Sequence, residues 1–161
     1  MPPLSQWEVN DMQKTIDMIE AHLALWIEMV TTMFVGEVNY FGDVQITREG
    51  RTVSLKMTSE TGMKLATSSM SWMPGCSAIW FAHNLWVHPE LRGTGFIGII
   101  RQWQRRLFLD MEVNRVYITV SADNPAGLRA AKKAGYVRQD EITERHGFGR
   151  AVLFVWDPIG V

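Results

Sequence analysis

"NLWVHPELRGTGFIGIIRQWQRRLF", residues 84–108, reads as the end of a strand, a sharp turn and a helix in quick succession. Pro89 stops the apolar stretch before it, because proline has no N–H to give a sheet ladder. Beyond the turn, Phe96, Ile99, Ile100, Trp103, Leu107 and Met111 recur at three- and four-residue spacing. That spacing predicts a helix from Phe96 to about Met111, with Arg101, Gln104, Arg105 and Asp110 facing away from the apolar stripe. Gly93 and Gly95 sit where strand becomes helix. With no Cβ in the way, a ligand can approach the backbone, and the first N–H groups and positive dipole end of the helix converge on one point. Such a point suits a phosphate, and Arg92 adds a charged fork. Turns of this kind also serve as plain connectors. No Gly-Lys-Ser/Thr run makes this a Walker loop, and no acidic residue stands where a dinucleotide fingerprint needs one.

The flanking sequence supplies the context. Residues Asn10 to Phe34 place Met12, Ile16, Ile19, Leu23, Trp26 and Val30 on one apolar face, a helix or two with Asn10 or Asp11 as N-cap. The period then changes. "DVQITREGRTVSLKM" alternates around Glu49-Gly50, predicting a hairpin from about Val44 to Met57. "MKLATSSMSW" and "SAIWFAHNLWV" flank Pro74-Gly75 as a second strand pair. "RVYITVS", Arg115 to Ser121, is a strand of β-branched residues. Asp123 to Ala134 is a short helix with Asn124 as cap and Pro125 at its first position, stopped by Gly135. "RAVLFVW", Arg150 to Trp156, is the last strand. The fold class is α+β, one domain over residues 1–161, with an N-terminal helical part at 1–40.

Composition narrows the function. The 161 residues carry a net charge of -1, which argues against a nucleic-acid backbone or an anionic membrane as partner. Hydrophobic residues at 47% and charged residues at 20% fit a globular protein with a sizeable core. A lone Cys76 forms no internal disulfide and builds no cysteine metal site, so a reducing cytoplasmic setting and no metal are expected. The opening "MPPLSQWEVND" lacks the basic and apolar regions of a signal peptide, and no apolar run is long enough to span a bilayer.

"VHPELRGTGFIG" followed by "VSADNPAGLRAAKKAGYV" resembles the GCN5-related N-acetyltransferases, the GNAT superfamily. That family's coenzyme-A motif, Arg/Gln-x-x-Gly-x-Gly/Ala after a Val-x-Pro-like strand end, is matched by Arg92, Gly93, Thr94 and Gly95 behind Val87, His88 and Pro89. Its later motif, an Asn, a short helix and a Gly-aromatic pair, is matched by Asn124, Gly135 and Tyr136. The resemblance covers about Ala78 to Val137, the expected coenzyme-A-binding core, and leaves the N-terminal third without a counterpart. Two positions depart from the pattern. Ile97 stands where the family has Gly or Ala, and Ala131 stands where many members place a tyrosine as general acid toward the departing thiolate.

The resemblance implies a mixed twisted sheet whose two central parallel strands splay apart, flanked by helices. It implies acetyl-CoA as acyl donor, with its chain in the wedge between His83–Val87 and Val116–Val120. The backbone of Leu85, Trp86 and Val87 would then meet the pantetheine amides, as free strand edges meet an extended ligand. The phosphates would sit on Gly93 to Ile97, with Thr94 and Phe96 in the same turn. Asn124 would contact the pantetheine arm, and Arg129, Lys132 and Lys133 would lie near the nucleotide unless they form a solvated helix face.

Amine acetylation needs a neutral nucleophile, hence a general base. His83 occupies the family's usual position for it, and strand alternation groups it with Phe81, Leu85 and Val87 in the absence of a bulge. A hydrogen-bonded structural histidine is the bland alternative. Glu37, Asp43 and Glu60 are further carboxylate candidates, whereas His22, His88 and His146 sit in ordinary helix, turn and loop contexts. Cys76 beside Pro74-Gly75 reads as a turn residue. Trp72, Trp80 and Trp86 belong to core packing or to an apolar acceptor pocket, with packing preferred. Two functions remain open: an acetyltransferase acting on a primary amine by direct attack, and a non-catalytic coenzyme-A-binding or assembly module on the same fold. The acceptor amine is not readable, and a homodimer is compatible with either.

Overall fold

The computed structural model describes residues 3–33, 43–143 and 149–158. The elements run α1 (Gln6–Met33), β1 (Asp43–Glu49), β2 (Thr52–Thr58), β3 (Lys64–Met73), β4 (Cys76–Val87), a 3-10 turn (Pro89–Leu91), α2 (Phe96–Asp110), β5 (Arg115–Ser121), α3 (Pro125–Lys133), β6 (Val137–Thr143) and β7 (Arg150–Trp156). Among the described residues the strands form one seven-stranded sheet in the order β1-β2-β3-β4-β5-β7-β6. Every pairing is antiparallel except β4 with β5.

One sheet face is sealed by the helices. Along β5, Val116, Ile118 and Val120 are buried while Tyr117 and Thr119 turn the other way, as the two-residue side-chain period requires. Trp80 and Ala82 of β4 and Val152, Phe154 and Trp156 of β7 join that buried face, where Phe96, Ile100, Leu107 and Phe108 of α2, Ile19 and Leu23 of α1 and Ala131 of α3 pack. Trp72 and Trp80 are tilted against each other at 5.4 Å, and Trp80 against Phe108 at 6.0 Å. These two tryptophans are core, each burial being worth about 1.5–3 kcal/mol or more.

Two helices differ from the pattern read in the sequence. α1 begins a turn before Asn10, because Ser5 and Glu8 form a capping box: the Glu8 N–H donates to Ser5 Oγ (3.1 Å) and the Ser5 N–H to Glu8 Oε1 (3.2 Å). Arg51, in the β1–β2 turn, grips the same carboxylate through Nε (2.6 Å), and Trp72 Nε1 donates to it at 2.7 Å. Glu8 and Arg51 are both buried. The Arg51 hydrogen bond, seconded by Trp72 and the Ser5 amide, holds the Glu8 carboxyl down to about 2. In α2, Arg101 and Gln104 do not face solvent. Both are buried, Gln104 Nε2 donating to Ser68 Oγ (2.6 Å) and Arg101 to Gln104 Oε1 (3.2 Å). The helix is embedded on more than its apolar stripe: Gln104 reaches Ser68 of β3, and α2 also contacts α1 and α3. Half-buried Arg105 caps the Ala134 carbonyl at 3.0 Å and lies over Trp156.

Candidate active site

The parallel ladder between β4 and β5 is short. Ile79 pairs with Arg115, Trp80 with Val116, Phe81 with Tyr117 and Ala82 with Ile118, and there it ends. β4 continues to Val87 on β3 alone, while β5 continues on β7, with Thr119 opposite Leu153 and Val120 opposite Val152. A gap therefore opens between His83–Val87 and Thr119–Val120, whereas Val116 to Ile118, which the resemblance placed in the wedge, are still paired to β4.

A β-bulge shapes the free edge. Ser69 pairs with His83 and Thr67 with Trp86, so two residues of β4, Asn84 and Leu85, oppose Ser68 alone. The extra residue inverts the alternation. His83 stays with Phe81 on the open sheet face, but Leu85 and Val87 move to the core face with Ala66, and Trp86 takes the open face. The simple alternation that grouped His83 with Leu85 and Val87 is corrected by this bulge. It also decides which backbone groups meet the gap. His88 N–H donates to the Leu65 carbonyl (2.7 Å), so alternation along the ladder turns the amide and carbonyl of Val87 away from β3. Those of Trp86 turn toward Thr67. Leu85 and Val87, not Trp86, present the free edge. The Trp86 side chain lies under Lys64 Nζ, 4.3 Å from the ring centroid.

At the end of that edge stands the glycine turn. Gly93 and Gly95 have φ of 77° and 87°, values that cost other residues strain, and a Cβ at either would point into open space. Gly95 caps α2 without a side-chain hydrogen bond. Thr94 folds its hydroxyl back to the Leu91 carbonyl. Arg92 is exposed, yet its Nε donates to the Val87 carbonyl at 2.9 Å, tying the turn to the strand edge. Phe96 is buried and Ile97 half-buried. Such a cradle, exposed and at the positive end of a 15-residue helix, fits a phosphate or pyrophosphate.

Across the gap, Asn124 Oδ1 accepts from the Gly127 N–H (3.0 Å) and caps α3 as expected. Arg129, Lys132 and Lys133 are exposed on α3. Ala131 is fully buried in the core, so the position carries packing and presents no acid.

His83 stands at the apex of the split, half-buried, with Nε2 2.7 Å from Ser71 Oγ, which in turn meets Thr52 Oγ1 at 2.8 Å. Burial pushes its pKa below the usual 6.5, so the ring is neutral near pH 7. It lines a cavity of about 310 Å³ bounded by Ser71 and Phe81 to His83 on one side and by Tyr117 to Thr119 and Leu153 on the other. Ser71 and Tyr117 were not singled out from the sequence; strand alternation within "SSMSW" and "RVYITVS" was the only signal pointing at them.

Other candidates fall elsewhere. Asp43 and Glu60 are exposed and line no part of this cavity. Glu37 and His146 lie outside the described residues. His22 pairs with Asp110 (2.7 Å), joining α1 to α2, and His88 Nδ1 accepts from the Glu90 N–H (3.1 Å). Cys76 is half-buried at the start of β4.

Solved structures of acetyltransferases share this fold. A spermidine N-acetyltransferase variant from Vibrio cholerae is similar with a TM-score of 0.54 at 11% identity, over 82% of this chain and 73% of that one. The ribosomal-protein-S18-alanine N-acetyltransferase from Escherichia coli gives 0.55 at 14% identity, over 68% and 71%. A ribosomal L7/L12 alpha-N-protein acetyltransferase in complex with coenzyme A gives 0.56 at 11%, over 66% and 62%. The likeness to a probable acetyltransferase, at 16% identity and a TM-score of 0.55, likewise spans 62% of that protein's length. No family model matches the sequence, and no curated protein matches it. The chain thus has the GNAT acetyltransferase fold.

Proposed function

We propose that the chain is an acetyl-CoA-dependent N-acetyltransferase that acetylates a primary amine by direct attack. One observation carries this reading: the β4–β5 ladder ends at Ala82 and Ile118, with a titratable His83 at the fork and a phosphate cradle at the far end of the same strand edge. A donor with an extended arm between a pyrophosphate and a reactive thioester suits that line. Gly93 to Ile97 would hold the phosphates, Leu85 and Val87 the arm, and Asn124 and Lys132 would flank it from α3. Ile97 leaves a backbone donor where the family has Gly or Ala.

Acetyl-CoA supplies an activated acyl group, whose carbon bonds to the amine nitrogen as its bond to sulfur breaks. His83, neutral at pH 7, takes the amine proton. Once charged, its Nε2–H donates to Ser71 Oγ, whose hydrogen turns to Thr52 Oγ1, so the imidazolium is stabilised without a buried carboxylate. The proton then returns to the departing sulfur through solvent, since Ala131 offers none.

The fully buried Ala131 also favours the second reading, a coenzyme-binding module without turnover. Calorimetry with acetyl-CoA followed by thiol release across an amine panel separates the two. Binding with release supports the enzyme, binding without release supports the module, and no binding removes both.

A further inference from the structure

Phe81 is a large hydrophobic side chain left 40% exposed on the sheet face opposite the helix-packed core. Its ring stacks on Tyr117, centroids 5.3 Å apart and planes within 23°, and both line the cavity that holds His83. Leu153 adds apolar wall, and no aspartate or glutamate lines the cavity among the described residues. Arg115 reaches the Tyr117 hydroxyl at 3.4 Å but is held in a forked pair with Asp157 at 2.6 and 2.9 Å. Those two charges answer each other.

We infer that the acceptor is an arylalkylamine, its ring stacked on the Phe81–Tyr117 pair and its nitrogen directed at His83. This rests on the cavity being the acceptor side of the proposed acetyltransferase. A polyamine or lysine-rich peptide would bring several cations into an apolar cavity with no counter-charge among the described residues, and stripping water from unpaired charge is unfavourable. A single amine needs only to lose one proton, which apolar surroundings favour. Phe81 and His83 lie two residues apart on one strand face, about 6.6 Å at the usual rise per residue, which a two- or three-carbon arm spans. At about 310 Å³ the cavity is at the small end of ligand sites and takes one ring. Aromatic stacking is the interaction that an exposed stacked pair offers.

The test compares phenethylamine, spermidine and a lysine peptide at saturating acetyl-CoA, with wild type and Phe81→Ala. Phenethylamine is expected to lead in kcat/KM by about tenfold or more, and Phe81→Ala to erase most of that lead through KM. Circular dichroism checks that the variant is folded. Preference for spermidine or the peptide, or an unchanged preference in Phe81→Ala, overturns the inference while leaving the acetyltransferase standing. Should no amine be acetylated, the acetyltransferase reading falls, and NMR titration with phenethylamine reads the subsite by itself. Shifts of the Tyr117 ring signals that vanish in Phe81→Ala uphold an arylalkylamine subsite on this pair; none overturns it.

Discussion

Ser71 and Trp72 are neighbours on β3, yet they serve opposite faces of the sheet and opposite purposes. Trp72 turns inward, and its indole N–H completes a carboxylate already held by Arg51 and the start of α1. Ser71 turns outward and holds only one nitrogen of His83, in a cavity open to a ligand. The inner cluster is closed: Glu8 takes donors from Arg51, Trp72 and the Ser5 amide, so its ionisation is locked and its role is to fasten the N-terminal helix to the sheet. The outer cluster holds an imidazole that burial keeps neutral, the group proposed to take up the amine proton. Two polar groups of similar composition thus divide into anchor and site according to whether a titratable atom remains for something else.

The largest effect is expected at His83. Replacing it with alanine is expected to slow turnover by about 10²–10⁴-fold, the range for a positioned base, with coenzyme affinity nearly kept. The wild-type rate should rise with pH through a midpoint below 6.5, since burial disfavours the imidazolium, and the variant should lack that limb. Stopped-flow thiol release across pH checks both. Full activity with an unaltered profile would make His83 a packing residue.

On the inner face the expected loss is of stability instead. Glu8→Gln should lower the melting temperature at neutral pH and leave coenzyme binding intact. The pH dependence has a definite sign. A carboxyl held at about 2 against 4.5 when unfolded stabilises fully above 4.5, and that contribution drains away as pH falls toward 2. Melting curves of the variant should lack this acid-side decline. An identical decline in both proteins would remove Glu8 as its source.

Arg92 gives the smallest effect, since it joins turn and strand without completing either cluster. Losing its guanidinium is expected to weaken acetyl-CoA binding by about 1.5–3 kcal/mol, the value of a charge-assisted hydrogen bond. Arg92→Lys keeps the charge but lacks the fork that reaches the Val87 carbonyl, and should recover only part of it. Calorimetry at low and high salt separates charge from geometry.

What the sequence made legible followed local rules. β5 and β7 match their predicted spans, and the glycine turn, α2 and the Asn124 cap follow from residue types that act on their own neighbours. The N-terminal capping box was written at Ser5 and Glu8 but hidden by better-looking caps at Asn10 and Asp11. What stayed hidden depends on tertiary pairing. The Asn84–Leu85 bulge, which regroups His83 with Trp86 and parts it from Val87, is set by how β4 meets Ser68 across the sheet. The burial of Arg101 and Gln104 depends on how α2 meets Ser68 of β3, and the Glu8–Arg51–Trp72 cluster joins residues 43 and 64 positions apart. No spacing rule reaches that far.

The central claim is that the edge of β4 beyond Ala82 receives the coenzyme arm, and residue-resolved amide hydrogen exchange tests it most directly. In the free protein the Val87 and Leu85 amides face the gap, whereas the Trp86 amide faces Thr67 of β3. Addition of acetyl-CoA is expected to slow exchange at Val87 and Leu85 and at the first amides of α2, with little change at Trp86. Binding that leaves Val87 and Leu85 exchanging at their free rates would contradict the account.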